Sequence, residues 1–365
     1  MMPDRADFTA PQAAGPARWR PAEVTSPQLD RPVPVIAAKD IPYIANANRF
    51  QNVSIYLPRT PETAGLIGTP VTSLPGADSP VRLPRYLVHI HGGAWRDPRL
   101  TSASIEPAVA HAYSGTELPG TQPHPVSAIA SLNYTVSQFD YPAPPFMPYP
   151  PIPYDAIKDN HTDLSREAVH PQHISDVLHG LALLGSLGLA SGSYVLSGHS
   201  CGACMAFQAV LASPGYYGLG YLPEPPGPAA LLGLNGLYDL PALATADGLG
   251  ASHAHLRDDY EQFLSRAFGA NQGAWPEASP AGFDPAGIAR RIREGNAPRL
   301  VVLGQSTEDQ LVPMNQQDRM AASLAKVTGI RIAQVHRLTG KHAAPWEQGG
   351  MMYHSLLDTL RLLGS

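Results

Sequence analysis

The sequence predicts an α/β fold in which helices flank a mostly parallel central sheet. Short apolar runs of strand character alternate with stretches of helical period through most of the chain. Residues 86–90 and 299–303 are typical of buried strands, whereas apolar residues spaced three or four apart over 174–184 predict a helix. We find no internal repeat, so these elements are expected to form one sheet with crossover helices.

The elements follow in order along the chain. Residues 52–58 alternate between apolar and polar side chains and end at a proline, which favours an edge strand. Further strands are predicted at 86–90, 128–134, 194–196, 229–234, 299–303 and 330–338. Helices are predicted at 171–188, 203–211, 258–268, 285–293, 314–326 and 350–363. Strands and helices therefore alternate in the second half of the chain.

We expect one domain, residues 41–365, that carries insertions. Residues 1–40 are rich in proline and alanine and lack sustained periodicity, which predicts a poorly ordered extension or an arm on the surface. Prolines predict insertion loops at 59–85 and 139–160, and the second is typical of either an active-site rim or a polyproline motif for a partner. Short helical stretches over 240–297 predict a small cap.

Composition disfavours several function classes. Charged residues make up 15% of the 365, the net charge is −5, and no Lys/Arg cluster offers a face to nucleic acid. No apolar run is long enough to span a bilayer, and the first residues contain no apolar signal segment. We therefore expect a cytoplasmic protein with a small-molecule substrate and neither a nucleic-acid nor a membrane partner. The oligomeric state stays open, a homodimer included.

The stretch Gly198-His199-Ser200-Cys201-Gly202 lies between a predicted strand and a predicted helix. A Gly-x-Ser-x-Gly turn in that setting holds the serine in a strained conformation, with glycines where side chains would collide with backbone. This predicts Ser200 as a nucleophile, with the Cys201 N–H among the donors that stabilise an oxyanion. The spacing of Cys201 and Cys204 is also that of a redox pair, but two cysteines are too few for a disulfide framework and we expect no redox role.

A second glycine turn follows the strand predicted at 86–90. In His91-Gly92-Gly93-Ala94-Trp95, two glycines at the carboxyl end of a strand allow a sharp turn that points N–H groups into a cleft. Taken alone this could be an ordinary turn. Its place upstream of a serine elbow predicts that Gly92 and Gly93 belong to an oxyanion hole.

A serine nucleophile needs a histidine base and an acid that orients the base. Asp309 follows the strand at 299–303, and His342 follows the next strand 33 positions later. The order Ser, acid, His is that of the α/β-hydrolase fold. Asp239 is a second candidate acid, although it comes one strand earlier. The histidines show no His-Glu-x-x-His spacing, and this chemistry requires neither a metal nor an organic cofactor.

Four segments, residues 91–98, 197–203, 309–313 and 340–342, together resemble kynurenine formamidase (arylformamidase) of the fungal type. The resemblance spans roughly residues 50–365 without the insertions, and its most specific part is the Gly-Gly-x-Trp element. It implies hydrolysis of N-formyl-L-kynurenine to L-kynurenine and formate, in tryptophan breakdown toward NAD.

The same resemblance implies that Trp95 borders the aromatic ring of the substrate. We also predict His91 as a residue of the substrate site. From the sequence alone, Trp95 is equally a buried structural residue. Three other hypotheses stay open: a small-acyl carboxylesterase of the same fold, a hydrolase fold that serves as a small-molecule receptor, and a scaffold that acts through its polyproline stretch.

Overall fold

A computed structural model describes residues 17–77, 84–115, 124–138, 166–335 and 338–364. Over these ranges the chain forms a nine-stranded sheet in the order β1-β2-β3-β5-β4-β6-β7-β8-β9. The strands are β1 Arg20–Val24, β2 Val33–Pro42, β3 Asn52–Pro58, β4 Tyr86–Ile90, β5 Ala128–Leu132, β6 Tyr194–His199, β7 Ala230–Leu234, β8 Leu300–Gly304 and β9 Arg331–Val335. The first three strands and the junction of β3 with β5 are antiparallel, and all later pairs are parallel. The predicted α/β class is confirmed.

Helices cover both faces of the sheet. They are α1 Pro61–Ala64, α2 Glu106–Tyr113, α3 Gln172–Ser186, α4 Cys201–Leu211, α5 Ala246–His253, α6 Arg257–Phe268, α7 Trp275–Ala278, α8 Pro285–Glu294, α9 Asn315–Leu324, α10 Ala344–Gln348 and α11 Gly350–Gly364. Alternate strand residues point to opposite faces, so Leu196 packs with α3 and α4 in one apolar core whereas Val195 packs with α2 and α11 in the other. The buried strands read as continuous apolar runs because both faces are covered.

The extension predicted over residues 1–40 is wrong from residue 20 onward, since β1 and β2 extend the sheet beyond β3. Prolines obscure the strand pattern there, but they are tolerated near the edge of a sheet.

Residues 59–77 form turns around the four-residue helix α1, and Leu74 is buried in the core. The insertion predicted at 139–160 lies outside the described residues. Residues 240–297, predicted as a cap, contain α5 to α8.

The parallel strands place the site. The strands β4, β6, β7, β8 and β9 run in one direction, so their carboxyl ends meet at one edge of the sheet, which is where ligands bind in open α/β sheets. The loops that leave this edge carry residues 91–97, 200, 235–239, 305–313 and 338–342. Among the described residues, no helix combines the length and the apolarity that crossing a bilayer requires.

Candidate active site

The turn from β6 into α4 is a strained elbow. Ser200 has φ +56° and ψ −126°, in the region that L residues rarely adopt. A Cβ at Gly198 would collide with the carbonyl of Gly202, and a Cβ at Gly202 would collide with the carbonyl of Ile90. Only glycine therefore fits at either side of the serine, as the sequence predicts.

Ser200 directly precedes the first turn of α4, a helix of 11 residues. The first N–H groups of a helix have no partner within it, and the helix dipole makes this end positive. The N–H of Cys201 thus lies beside the Ser200 side chain in a region that favours negative charge.

The turn that follows β4 has left-handed backbone at three successive residues, with φ of +114° at Gly93, +52° at Ala94 and +57° at Trp95. A Cβ at Gly92 would lie 3.1 Å from Ser200 Cβ, so the turn packs directly against the nucleophile. Gly93 and Ala94 line the same cavity as Ser200. This arrangement places the predicted oxyanion glycines next to the predicted nucleophile.

Asp309 and His342 lie together, as predicted. The Nδ1 of His342 is 2.8 Å from Asp309 Oδ2, and the Asp309 carboxylate is fully buried. The N–H groups of Leu311 and Val312 each donate to Asp309 Oδ1 at 2.9 Å, and Gln305 Nε2 donates to Oδ2 at 3.1 Å. All of these partners are donors, so this hydrogen-bond pattern matches an Asp309 side chain that only accepts and that faces an N–H at His342 Nδ1.

The backbone of His342 is held by three side chains, one from the end of β6 and two from the loops after β7 and β8. Its carbonyl accepts from His199 Nε2 at 2.9 Å and from Asn235 Nδ2 at 3.2 Å, and its N–H donates to Gln310 Oε1 at 2.9 Å. Burial holds the pKa of His199 well below its usual value, and nearby His342 lowers it further. His199 is therefore neutral, with its proton on Nε2. These three side chains escaped the sequence analysis, although His199 lies inside the elbow motif.

Ser200 and His342 line one cavity of about 510 Å³. Among the described residues, no hydrogen bond joins the Ser200 hydroxyl to His342. Such bonds are often long before substrate binds. The cavity walls are mainly apolar and carry charges of both signs. The apolar members include Leu237, Leu256, Phe263, Leu311, Val312 and Trp346, and the charged members are Asp97, Arg99, Asp259, Lys341 and Glu347.

Comparisons with known proteins agree with this geometry. No family model matches the chain. The chain is 29% identical over 316 residues to a kynurenine formamidase-like hydrolase of Fusarium equiseti, covering 85% of this chain and 89% of the relative. It is 26% identical over 275 residues to a kynurenine formamidase of Aspergillus versicolor, covering 73% and 85%. A truncated carbohydrate esterase from gut microbiota superposes with a TM-score of 0.56 at 15% identity, covering 94% of this chain and 98% of the esterase.

The chain is a hydrolase of the α/β-hydrolase fold. The resemblance to fungal kynurenine formamidases, drawn from four short segments of sequence, is confirmed by these relatives over most of the chain. The structural neighbour has low sequence identity and supports the fold alone.

Two predicted substrate contacts of this hydrolase do not reach the cavity. Trp95 is fully buried, with its ring centroid 4.9 Å from that of Phe268 and 6.2 Å from that of Phe263. Since Phe263 lines the cavity, Trp95 supports the wall from behind. The left-handed φ at Trp95 turns its side chain into the core, and the sequence does not reveal that φ.

His91 is also buried away from the cavity. Its Nδ1 lies 2.7 Å from the Gly92 carbonyl oxygen and its Nε2 lies 2.9 Å from Asn133 Oδ1. Burial lowers the pKa of His91. The ring stacks on Tyr134 at 4.6 Å, so His91 contacts the glycine turn and does not line the cavity.

The alternative acid, Asp239, lies apart from His342. Its carboxylate pairs with Arg319 at 3.0 Å and caps the N–H of Ala242 at 3.2 Å. The structure therefore brings Asp309, and not Asp239, to His342. Among the described residues there is also no group of three or more His, Cys, Asp or Glu side chains arranged to hold a metal ion.

Proposed function

We propose that this hydrolase uses Ser200, His342 and Asp309 to cleave the formamide of N-formyl-L-kynurenine to L-kynurenine and formate, a step of tryptophan catabolism toward NAD. The observation that carries the proposal is that a strained serine elbow and a buried Asp309–His342 pair open onto one cavity. The names of the fungal relatives supply the substrate.

In the proposed reaction, His342 Nε2 takes the proton of Ser200 as the hydroxyl oxygen attacks the formyl carbon. The negative charge that develops on the formyl oxygen is stabilised by N–H groups of Gly92, Gly93 and Cys201. His342 then gives its proton to the aryl nitrogen, so the C–N bond breaks and L-kynurenine leaves. Water, activated by His342, hydrolyses the formyl ester of Ser200, which releases formate and restores the enzyme.

The walls of the cavity fit such a substrate. Phe263 and Trp346 offer aromatic surface, and aromatic pairs contribute about 1 kcal/mol beyond their buried area. Lys341 and Glu347 line the cavity, are exposed, and have no ion-pair partner among the described residues. Charges of both signs suit the carboxylate and the ammonium of a zwitterionic amino acid, which this formamide carries at the end remote from the scissile bond.

The testing experiment compares kcat/KM for N-formyl-L-kynurenine, followed by formate release, with kcat/KM for p-nitrophenyl acetate. We expect the formamide to be the better substrate. Turnover of the formamide far below that of the ester would refute the proposal in favour of a small-acyl carboxylesterase, which the same three residues and the apolar part of the cavity would also serve. Failure of a fluorophosphonate to label Ser200 would instead favour a receptor.

A further inference from the structure

The side chain of Cys201 lies behind the glycine turn that carries the proposed oxyanion donors. The Trp95 N–H donates to Cys201 Sγ at 3.3 Å, and Tyr134 Oη lies 3.3 Å from the same sulfur. Tyr134 Oη also lies 2.8 Å from the carbonyl oxygen of Gly92. The Cys201 sulfur and the Tyr134 hydroxyl therefore link the two ends of the Gly92–Trp95 turn through a continuous chain of contacts.

The direction of each hydrogen bond follows from the chemistry. A carbonyl oxygen only accepts. The Tyr134 hydroxyl therefore donates its single proton to the Gly92 carbonyl at 2.8 Å, which is closer than the His91 carbonyl at 3.4 Å. The Cys201 thiol then donates its proton to Tyr134 Oη, while its sulfur accepts from the Trp95 N–H. Both side chains are fully buried. Burial raises the pKa of Cys201 to about 11, although the hydrogen bond with Tyr134 and the nearby N–H groups oppose the shift, so the thiol keeps the proton that this arrangement requires at neutral pH.

We propose that Tyr134 and Cys201 are a positioning pair that holds the oxyanion turn in its active orientation. The proposal rests on the serine mechanism given above. In a planar trans peptide, the C=O and the following N–H point in opposite directions. Because Tyr134 fixes the carbonyl of Gly92 on its own side, the N–H of Gly93 must point to the other side, where Gly93 lines the cavity with Ser200.

The turn needs such a restraint because its conformation is costly. Positive φ at Ala94 and Trp95 is unfavourable for residues with a Cβ and persists where the surroundings enforce it. The Cys201 sulfur holds the Trp95 end, and the Tyr134 hydroxyl holds the Gly92 end together with His91 Nδ1, which lies 2.7 Å from the same carbonyl oxygen. Without these contacts we expect the turn to relax, and the N–H groups would leave the place where the oxyanion forms.

The experiment compares Cys201→Ala, Cys201→Ser and Tyr134→Phe with a matched control, Cys204→Ala. Cys204 is equally buried and lies on the same helix, but its sulfur is 3.9 Å from the Ala278 carbonyl and does not contact the turn. Because a lost oxyanion donor costs about 100-fold or more, a displaced turn should lower kcat by about tenfold or more in Cys201→Ala and Tyr134→Phe, with KM nearly unchanged.

We expect Cys201→Ser to recover most of kcat, since serine can donate and accept as the thiol does, and Cys204→Ala to match the wild type. The rate of fluorophosphonate labelling should fall in parallel with kcat, because the phosphoryl oxygen occupies the same hole. Thermal unfolding of all four variants separates this effect from lost stability.

Three outcomes would overturn one or the other conclusion. A wild-type protein that the fluorophosphonate does not label contradicts the proposed serine mechanism. A labelled wild type whose Cys201→Ala and Tyr134→Phe variants react as fast as Cys204→Ala contradicts the positioning pair alone. A loss of kcat in all variants that tracks their loss of thermal stability also overturns it, because the effect would then be structural only.

Discussion

Replacement of Asp309 by asparagine removes the charge behind His342 and leaves the shape of the side chain almost unchanged. The amide has two orientations. If its oxygen stays at the position of Oδ1, it keeps the N–H groups of Leu311 and Val312, and its NH₂ group faces His342 Nδ1. The imidazole must then place its proton on Nε2, where it no longer serves as a base.

In this orientation the NH₂ group faces one competing donor, Gln305 Nε2, which lies 3.1 Å from Oδ2. The opposite orientation is disfavoured more strongly. It would direct the NH₂ group at two backbone N–H donors that now lie 2.9 Å from Oδ1, and an unsatisfied buried donor costs about 1–3 kcal/mol each. The structure thus selects the tautomer that inactivates His342. In serine hydrolases with such a triad, the equivalent change lowers kcat about 10⁴-fold, or about 5 kcal/mol of transition-state stabilisation.

The assay is kcat for N-formyl-L-kynurenine, with thermal unfolding measured in parallel to show that Asp309→Asn is folded. Asp239→Asn is the matched control, because Asp239 is the other candidate acid and pairs with Arg319 away from the cavity. We expect the control to stay within about threefold of the wild type, since a surface ion pair contributes little. If Asp309→Asn kept a tenth of the wild-type kcat, or if Asp239→Asn were the inactive variant, the assignment of the acid would be refuted.

Three other predictions concern packing, recognition and pH. Gly198→Ala should lower the free energy of unfolding by about 3 kcal/mol, because its Cβ would collide with backbone. In Gly220→Ala the Cβ lies 3.6 Å from its nearest neighbour, so this variant should be nearly neutral. Urea unfolding measures both, and equal losses of stability would contradict the packing argument. Lys341→Met should raise KM for N-formyl-L-kynurenine about tenfold, the effect of one lost ionic contact, and should leave KM for p-nitrophenyl acetate unchanged. The control Lys326→Met should change neither value. A rise of KM for both substrates in Lys341→Met would contradict a role in recognition. Burial lowers the pKa of His89 and of His173 to about 3, against about 6.5 in the unfolded chain. Between these values only the unfolded state binds the protons, so the free energy of unfolding should fall as pH drops from about 6.5 toward 3; urea titrations across this range test it, and a decline as steep in His173→Gln as in the wild type would exclude the contribution of His173.

The sequence predicts the parts of the site whose constraints are local. Glycines flank Ser200 because backbone from neighbouring segments leaves no room for a Cβ, so the requirement appears as a motif. Asp309 and His342 follow strands in the order that this fold requires, so their positions are readable from the alternation of strands and helices.

The sequence does not predict contacts that depend on backbone direction or on distant neighbours. Trp95 belongs to a recognisable motif, but its left-handed φ sends the indole into the core. Tyr134 and Cys201 are 67 positions apart and meet only because the carboxyl ends of β4, β5 and β6 lie side by side. The strands β1 and β2 are not predicted from the sequence because prolines disturb their alternation. Pairing of β1 with β2 and of β2 with β3 stabilises them.

The position of β9 at the edge of the sheet has a consequence for inactivation by heat. Most of its side chains are at least partly exposed, unlike those of β4, β6, β7 and β8. Elements with few buried contacts open first, well below the temperature of global unfolding. The loop after β9 carries His342, whereas Ser200 lies between β6 and α4, whose residues are all buried. Once moderate heating breaks the hydrogen bonds of His342 to Asp309, His199 and Asn235, the base should detach while the serine elbow stays folded. Activity should then disappear, and return on cooling, before the core melts.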